Sequence, residues 1–323
     1  MSRRTRQVGT LVLTAAAIAY LVWKIELRTT LDVLADTNLA WFALAVTIMV
    51  VTVPALALRW GWLLAAHDIL ERVPWLTRTY FVAYTAGQVL PTSLGGDAVR
   101  VVETTRRHPG RATVVTGTVL LERGVGGAAT VALGAVGFLL SLGEYDVSGY
   151  LWLEGVFVFG TLVLGFLFFA RSARPLLRRT QPLLERLRLE APLRHFYEGI
   201  HHYRRHPGVL GKVLVVTLAV QAVRILSIWA AAKAVGIDLD PRIYYVFGPL
   251  LFLVMLVPFT LNGIAVREAF FVSFLGSVGV GANQAFAAGF LYFLLTLLLA
   301  FPGAVIMLRD GLRGGARPGV EHG

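Results

Sequence analysis

The chain has 323 residues, of which 56% are hydrophobic and only 15% charged, and its formal net charge is +11. So few charged residues exclude an ordinary water-soluble domain, and most of the surface is expected to face lipid. Cysteine is absent, which excludes disulfides, thiolate metal sites and cysteine nucleophiles. Apolar stretches of membrane-crossing length, rather than short alternating segments, predict an all-α polytopic membrane protein.

Six full membrane spans are predicted in chain order. The first follows three arginines and resembles a signal peptide, but the internal repeat described below requires it as a retained span. Two further apolar regions, 75–105 and 243–281, each break at proline followed by glycine or asparagine. They are predicted to be broken helix pairs, either re-entrant hairpins or kinked crossings. The six full spans are 8–23, 39–64, 112–140, 150–170, 209–235 and 284–308.

The basic residues, 27 Arg and 3 Lys, orient these spans. The loop 171–206 holds nine Arg against three Glu, and the segment after the first break, up to Arg111, is also basic. Acidic loops around Asp146 and Asp238 fall on the opposite side if region 75–105 enters and leaves by one face. The positive-inside rule then places both termini in the cytoplasm and the protein in the inner (cytoplasmic) membrane. The cytoplasmic loop 171–206 is either an interfacial helix or a solvated linker.

A repeated motif divides the single transmembrane domain, 1–323, into two halves. At an offset of 167 residues, the segments Pro91–Arg100 and Pro258–Arg267 are identical at six of ten positions. An arginine also precedes the end of each motif at a similar distance, Arg59 by 41 residues and Arg224 by 43. With the orientation above, the first broken pair opens to the cytoplasm and the second to the outside. The halves, 1–140 and 150–308, are therefore predicted to be inverted-topology repeats, an architecture of alternating-access carriers.

Each break combines features of an anion-binding site. A proline ends one helix, small residues allow a tight turn, and the next helix begins with unpaired N–H groups and the positive end of its dipole. An arginine one turn inside that next helix adds a guanidinium for a phosphate. The residues are Pro91, Gly95, Gly96 and Arg100 in the first break, and Pro258, Asn262, Gly263 and Arg267 in the second.

Further charged residues extend this predicted substrate-binding set. Glu122 and Arg123 fall near the middle of the span 112–140, where each charge costs ~2.5–3.5 kcal/mol on insertion scales, so they should pair or face a polar cavity. The equivalent residues of the second half, Gly289 and Phe290, are uncharged. Structural alternatives are a helix cap for Asp97, a snorkelling Arg59, an Arg267–Glu268 ion pair, and an ion pair of Glu122 or Arg123 with Asp97 or Arg267. The members added here are Ser93, Asp97, Glu122, Arg123, Glu268 and Arg59.

Three motifs together resemble a known family. They are Gln88–Arg100 (QVLPTSLGGDAVR), Leu121–Arg123 (LER) and Val257–Glu268 (VPFTLNGIAVRE). This combination is similar to the flippase-like transmembrane domain of lysylphosphatidylglycerol synthases, although Ala265 stands where the family usually has Gly. The resemblance implies translocation of lipids such as aminoacylated phosphatidylglycerol, and relatives acting near polyprenyl-phosphate-linked sugars. The chain stops soon after the last span, so a stand-alone member without the aminoacyl-transferase domain is expected.

The leading functional hypothesis is a flippase-like transporter of an anionic phospholipid or a polyprenyl-phosphate-linked lipid. All seven histidines lie outside the predicted spans and no nucleophile-elbow, P-loop or dinucleotide motif is present, so no catalytic residue, metal or cofactor is predicted. The arginines lie in loops between apolar spans, a pattern that favours a membrane over nucleic acid as partner. Two alternatives stay open. One is an intramembrane transferase or hydrolase using Asp97 or Glu122, and the other is a non-transporting partner of a lipid or glycan synthase.

Overall fold

The computed structural model describes residues 26–89, 95–141, 207–255 and 265–315, with a few isolated positions such as Trp23 and Tyr203. These ranges consist of helices joined by turns. Their bounds are α1 Leu27–Ala35, α2 Leu39–Ala65, α3 Val73–Val89, α4 Gly95–Arg107, α5 Ala112–Ser141, α6 Pro207–Ala234, α7 Pro241–Met255, α8 Val266–Ser277 and α9 Ala282–Gly315.

Four of these helices, α2, α5, α6 and α9, are long and apolar enough to cross a bilayer. They confirm the predicted helices at 39–64, 112–140, 209–235 and 284–308, and the chain is a multi-pass membrane protein. The predicted spans 8–23 and 150–170 and the loop 171–206 lie outside the described residues. Long side chains on the outside of the long helices, such as Leu39, Val51 and Phe301, are exposed, as expected of surfaces that face lipid.

Both predicted broken regions are pairs of shorter helices, α3 with α4 and α7 with α8. The residues between the members of each pair, 90–94 and 256–264, lie outside the described part, and with them Pro91, Ser93, Pro258, Asn262 and Gly263. Arg78 Nη1 lies 3.0 Å from Glu103 Oε2, and Arg107 Nε lies 2.6 Å from Glu71 Oε1. The α3–α4 pair therefore begins and ends at the same end of the molecule.

The α7–α8 pair begins and ends at the opposite end. It starts just after α6 and stops just before α9. The junctions are neighbours, because a side chain at Gly236 would lie 3.7 Å from Gln284 Nε2. Within the pair, the ring of Phe247 packs against those of Phe270, Phe271 and Phe274, with centroids 4.6–5.2 Å apart. These rings bury a large apolar area between two helices that are each too short to span a bilayer fully.

Helices α2 and α6 run antiparallel through the centre of the molecule. The Asn38 N–H at the start of α2 donates to the carbonyl of Ala234 at the end of α6, at 2.8 Å. The rings of Trp41 and Trp229 meet edge to face, with centroids 5.2 Å apart. The Asn38 side chain also caps α2 by accepting from the Ala40 N–H at 3.0 Å.

Two glycines bring helices of different halves into close contact. A Cβ on Gly137 of α5 would overlap the backbone of Tyr245 on α7, and one on Gly303 of α9 would overlap the carbonyl of Phe81 on α3. Beside Gly303, Thr85 Oγ1 donates to the Ala300 carbonyl at 2.6 Å. Small residues allow this approach of helix backbones in lipid, where packing rather than hydrophobic burial drives association. Each half thus places its last long helix against the first short helix of the other half.

Candidate functional site

Glu122 lies at the centre of a buried polar cluster in the first half of the chain. It is 4% exposed and projects from the interior of α5, between α2, α3 and α4. Its Oε1 accepts hydrogen bonds from the Arg59 guanidinium and the Tyr80 hydroxyl, and its Oε2 accepts one from the Arg100 guanidinium. Three helices thus supply three donors to one carboxylate, which meets the requirement that a buried charge be paired.

Arg100 is also held by two aromatic rings. Its Cζ lies 4.1 Å from the ring centroids of both Trp60 and Tyr80. The Trp60 Nε1–H donates to Thr118 Oγ1 at 3.1 Å. This bond holds the Trp60 ring, which belongs to α2, against α5. Cation–π contacts of this kind stabilise a guanidinium away from water. Arg100, which is 5% exposed, therefore has defined partners on every side except at its Nε, which is buried without one.

Asp97 connects this buried cluster to a more exposed arginine. Its Oδ1 lies 3.4 Å from Arg100 Nη1, and its Oδ2 accepts from Arg123 Nε. Asp97 lies in the first turn of α4, where a carboxylate is favourable for the helix dipole. The side chain of Arg123 is 40% exposed and that of Asp97 is 18% exposed. Of the predicted alternatives, the ion pair of Arg123 with Asp97 is observed, whereas Glu122 pairs with Arg59 and Arg100 instead.

The second half places Arg224 in the corresponding region. Its Nε donates to Thr52 Oγ1 at 2.9 Å and its Nη2 to the Tyr84 hydroxyl at 2.8 Å. Tyr84 lies one turn beyond Tyr80 on α3, and the two rings have centroids 6.4 Å apart. The polar groups around Arg224 are thus contiguous with the cluster around Glu122. In the described part of the chain, Arg224 makes no ion pair with a carboxylate, and its side chain is only partly buried.

Arg267 and Glu268 pair with each other at the start of α8. Arg267 Nε lies 2.9 Å from Glu268 Oε1, and both residues are buried. The Arg267 Cζ lies 4.8 Å from the ring centroid of Phe293 on α9. Glu268 Oε2 is buried without a described hydrogen-bond partner.

The structure therefore brings most of the described candidates into two adjoining clusters. Gly95 is buried, and Gly96 packs so closely on α3 that a Cβ would overlap the Ala83 carbonyl. The alternative in which Arg59 snorkels outward is wrong: Arg59 is 6% exposed and reaches inward to Glu122 and to Thr217 Oγ1, at 2.8 Å. Its side chain is enclosed where α2 packs against α6. The interpretation of Arg267 and Glu268 as an ion pair matches the observed contact.

Sequence reasoning missed the uncharged members of the clusters. Tyr80 and Tyr84 contact Arg100 and Arg224, and Thr52 and Thr217 hold two of the arginines. Tyrosines and threonines are common in membrane helices, so their identity alone carries no signal. The one usable sign was the equal spacing of the arginine–threonine pairs, since Thr217 and Arg224 each follow Thr52 and Arg59 by 165 residues.

The two clusters together carry more positive than negative charge. They contain five guanidinium groups and three carboxylates, a net charge of +2 within or beside apolar helices. Unpaired charge is expensive in such surroundings, and cation excess favours an anion. The arginines are Arg59, Arg100, Arg123, Arg224 and Arg267, and the acids are Asp97, Glu122 and Glu268.

This geometry defines the class of protein: a multi-pass helical membrane protein with an arginine-rich polar cluster between its helices. The chain belongs to the family of the lysylphosphatidylglycerol synthase transmembrane region, which it matches over residues 7–303. It is also similar to the glycosyltransferase AglD of Haloferax volcanii, with 27% identity over 316 residues. That similarity covers 86% of this chain and 50% of the relative, so the chain spans about half the length of the protein it resembles.

Proposed function

We propose that this protein moves an anionic lipid headgroup across the bilayer, the lipid being an anionic phospholipid or a polyprenyl-phosphate-linked lipid. The excess of guanidinium groups over carboxylates in the two clusters is the observation that carries this proposal. A phosphate-bearing headgroup would supply the missing negative charge, and arginine binds phosphate with two parallel hydrogen bonds. Family membership supports a lipid-related role for a domain embedded in the membrane.

Two inverted repeats, residues 1–140 and 150–308, would provide the transport mechanism. The order long, short, short, long occurs in α2–α5 and again in α6–α9. The first long helices of the two sets, α2 and α6, run antiparallel, and the two short-helix pairs open at opposite ends of the molecule. These features support a structure in which each hairpin admits the headgroup from a different face, as alternating access requires.

Charge supports an orientation for this carrier. The end at which α3 begins and α4 terminates carries Arg72, Arg78, Arg106, Arg107 and Arg111. The opposite end, where α6 ends and α7 begins, carries only two basic residues, Lys233 and Arg242, and they pair with Asp238 and Asp240. Basic residues favour the cytoplasmic side, so the α3–α4 pair would open to the cytoplasm, both termini would be cytoplasmic, and the membrane would be the inner membrane.

In this proposal the predicted substrate-binding residues divide into two roles. Arg100, Arg267 and the N-terminal turns of α4 and α8 attract the phosphate, and Asp97, Glu122, Arg123 and Glu268 balance charge when it is absent. A phosphate entering the first cluster would have to compete with Glu122 for Arg59 and Arg100. Such competition would couple binding to side-chain rearrangement between the helices, which a carrier needs if the empty and loaded states are to differ.

A second candidate is a role beside or within a glycan-transfer reaction. It is favoured by the name of the relative, glycosyltransferase AglD, to which this chain corresponds over about half the length. Either an intramembrane transfer to a lipid-linked substrate or assembly with a separate synthase would fit that name. Glu122 is poorly placed as an acid or base, because both of its oxygens already accept from buried donors.

The deciding experiment is translocation in vesicles of defined composition. Purified protein is reconstituted in phosphatidylcholine with a trace of fluorescent phosphatidylglycerol or of polyprenyl phosphate, and a membrane-impermeant quencher reports the outward-facing fraction. Without transport, the fluorescent lipid of the inner leaflet is protected from the quencher. We expect the protein to remove this protection for at least one of the anionic lipids, and not for fluorescent phosphatidylcholine. Equal protection with and without protein for both anionic lipids would reject transport and favour the glycan-transfer candidate.

A further inference from the structure

The two arginine clusters differ in one respect that bears on where a ligand binds. In the first half, Arg59 and Arg100 converge on the carboxylate of Glu122, with the Tyr80 hydroxyl as a third donor. The equivalent arginines of the second half are Arg224 and Arg267. The position equivalent to Glu122 there is Gly289, which has no carboxylate. The second cluster therefore has no carboxylate at that position, and its one acid, Glu268, pairs with Arg267 and not with Arg224.

Arg224 retains unused hydrogen-bonding capacity. Its Nε and Nη2 donate to Thr52 and Tyr84, and both acceptors are neutral hydroxyl groups. Its Nη1 has no described hydrogen-bond partner, and the side chain is only partly buried. Arg59 and Arg100, by contrast, are 6% and 5% exposed and share Glu122. Among these four arginines, Arg224 is thus the accessible one that lacks a negative partner.

A tyrosine hydroxyl adds a donor beside Arg224. The Tyr84 oxygen accepts from Arg224, which leaves its own proton available for another acceptor. A guanidinium beside a phenolic O–H donor presents several hydrogen bonds to the oxygens of one phosphate, as Arg59, Arg100 and Tyr80 do to those of Glu122.

We propose that the phosphate of the transported lipid binds to Arg224 beside the hydroxyl of Tyr84. Glu122 occupies the equivalent position of the first half, so the site is asymmetric. This inference rests on the proposed function and narrows it. It selects a phosphate monoester or diester with a free anionic oxygen as the recognised group, and it assigns the direct contact to Arg224 rather than to Arg100.

The test measures binding of two phosphate lipids, dodecyl phosphate and dioctanoyl phosphatidylglycerol, to the full chain in maltoside micelles by native mass spectrometry. Arg224→Gln should weaken binding of at least one of them about 10- to 100-fold, the range for loss of a charge-assisted hydrogen-bond pair. Lys212→Gln removes one positive charge from an exposed position of the same helix and should leave binding unchanged. Dodecyltrimethylammonium, a cationic amphiphile with the same tail as dodecyl phosphate, should not compete. Unaltered binding in a folded Arg224→Gln protein would overturn the site.

A second variant covers the case in which Arg224→Gln does not fold. The change Tyr84→Phe keeps the aromatic packing and removes only the hydroxyl beside Arg224, and we expect several-fold weaker binding. Wild-type affinity in this variant would count against the site. Failure of the proposed function looks different, because the wild-type protein itself would then bind neither phosphate lipid. If the wild type binds, Arg224→Gln binds equally well and only Arg100→Gln is impaired, the inference fails while the proposed function stands.

Discussion

Arg59 donates a hydrogen bond to Thr217 across the antiparallel pair of α2 and α6, with Nη1 2.8 Å from Oγ1. The reciprocal contact joins the equivalent residues, since Arg224 Nε lies 2.9 Å from Thr52 Oγ1. Thr217 lies seven residues before Arg224, and Thr52 lies seven residues before Arg59. Each arginine is thus held by the threonine that precedes the other arginine. This exchange is the contact pattern that the proposed inverted repeats would produce. The pattern does not extend to Glu122, since the residue at the same offset in the second half is Gly289.

The two threonines offer a matched pair of variants. Thr52→Val and Thr217→Val each remove one hydroxyl at nearly constant volume, and each should lower the free energy of unfolding by about 1 kcal/mol, as expected for one hydrogen bond to a charged group in a membrane protein. Only Thr52→Val releases Arg224, so only this variant should also weaken binding of dodecyl phosphate. Thermal unfolding and lipid binding measured on both proteins check this. An equal loss of binding in the two variants would contradict the asymmetric role of Arg224.

Glu122→Gln should be among the most destabilising single changes in the described part of the chain. It removes the negative partner of both Arg59 and Arg100, and an uncompensated buried charge costs about 3–5 kcal/mol. Glu103→Gln is the control, because it also removes a carboxylate from an arginine pair but its side chain is 23% exposed. Denaturation in detergent compares the two. A Glu122→Gln protein as stable as Glu103→Gln would mean that Glu122 does not neutralise the cluster.

The glycine contacts predict opposite results for alanine at two positions of α5. Gly137→Ala forces a methyl group into the backbone of Tyr245, so α5 and α7 must separate and the protein should be destabilised by about 1–3 kcal/mol. Gly126→Ala meets no atom within 4 Å, so the gain in helix propensity should leave the protein as stable or up to about 1 kcal/mol more stable. Thermal melts of both variants test this. If Gly126→Ala destabilises the protein and Gly137→Ala does not, the packing described is rejected.

Asp240 makes a pH-dependent contribution at the start of α7. Hydrogen bonds from the Arg242 side chain, and from its backbone N–H at 2.7 Å, lower the pKa of the Asp240 carboxyl below its ordinary value. Since this pKa is lower in the folded than in the unfolded protein, the stabilisation is complete above the unfolded value of ~3.9 and is lost as the pH falls through the folded value.

Asp240→Asn should therefore melt at a lower temperature than the wild type at neutral pH, and the difference should disappear as the pH is lowered below 4. Melting temperatures measured in detergent between pH 7 and pH 3 test this. Asp238→Asn is a suitable comparison, because its side chain is 88% exposed and pairs only with Lys233 among the described residues. A difference between wild type and Asp240→Asn that is independent of pH would reject the ionic origin of the effect.

The sequence alone determined the class of protein and the four long helices, but it did not predict α1. Hydropathy over about 20 residues located α2, α5, α6 and α9, because the length of an apolar run is a local property matched to the bilayer. The motifs ending at Arg100 and Arg267 marked both short-helix pairs, because proline and glycine interrupt helices wherever they occur.

Only the tertiary structure decided how the buried charges are shared. Whether Glu122 would pair with Arg59, Arg100 or Asp97 depends on distances between helices that are far apart in sequence, and no local pattern encodes these distances. The packing of α2 on α6 turned Arg59 inward, which rules out the snorkelling alternative, and the placement of α3 between the clusters brought Tyr80 to Glu122 and Tyr84 to Arg224. In the low-dielectric interior such contacts determine which arginine is paired with a carboxylate and which is not, and that is a property of the packed helices as a whole.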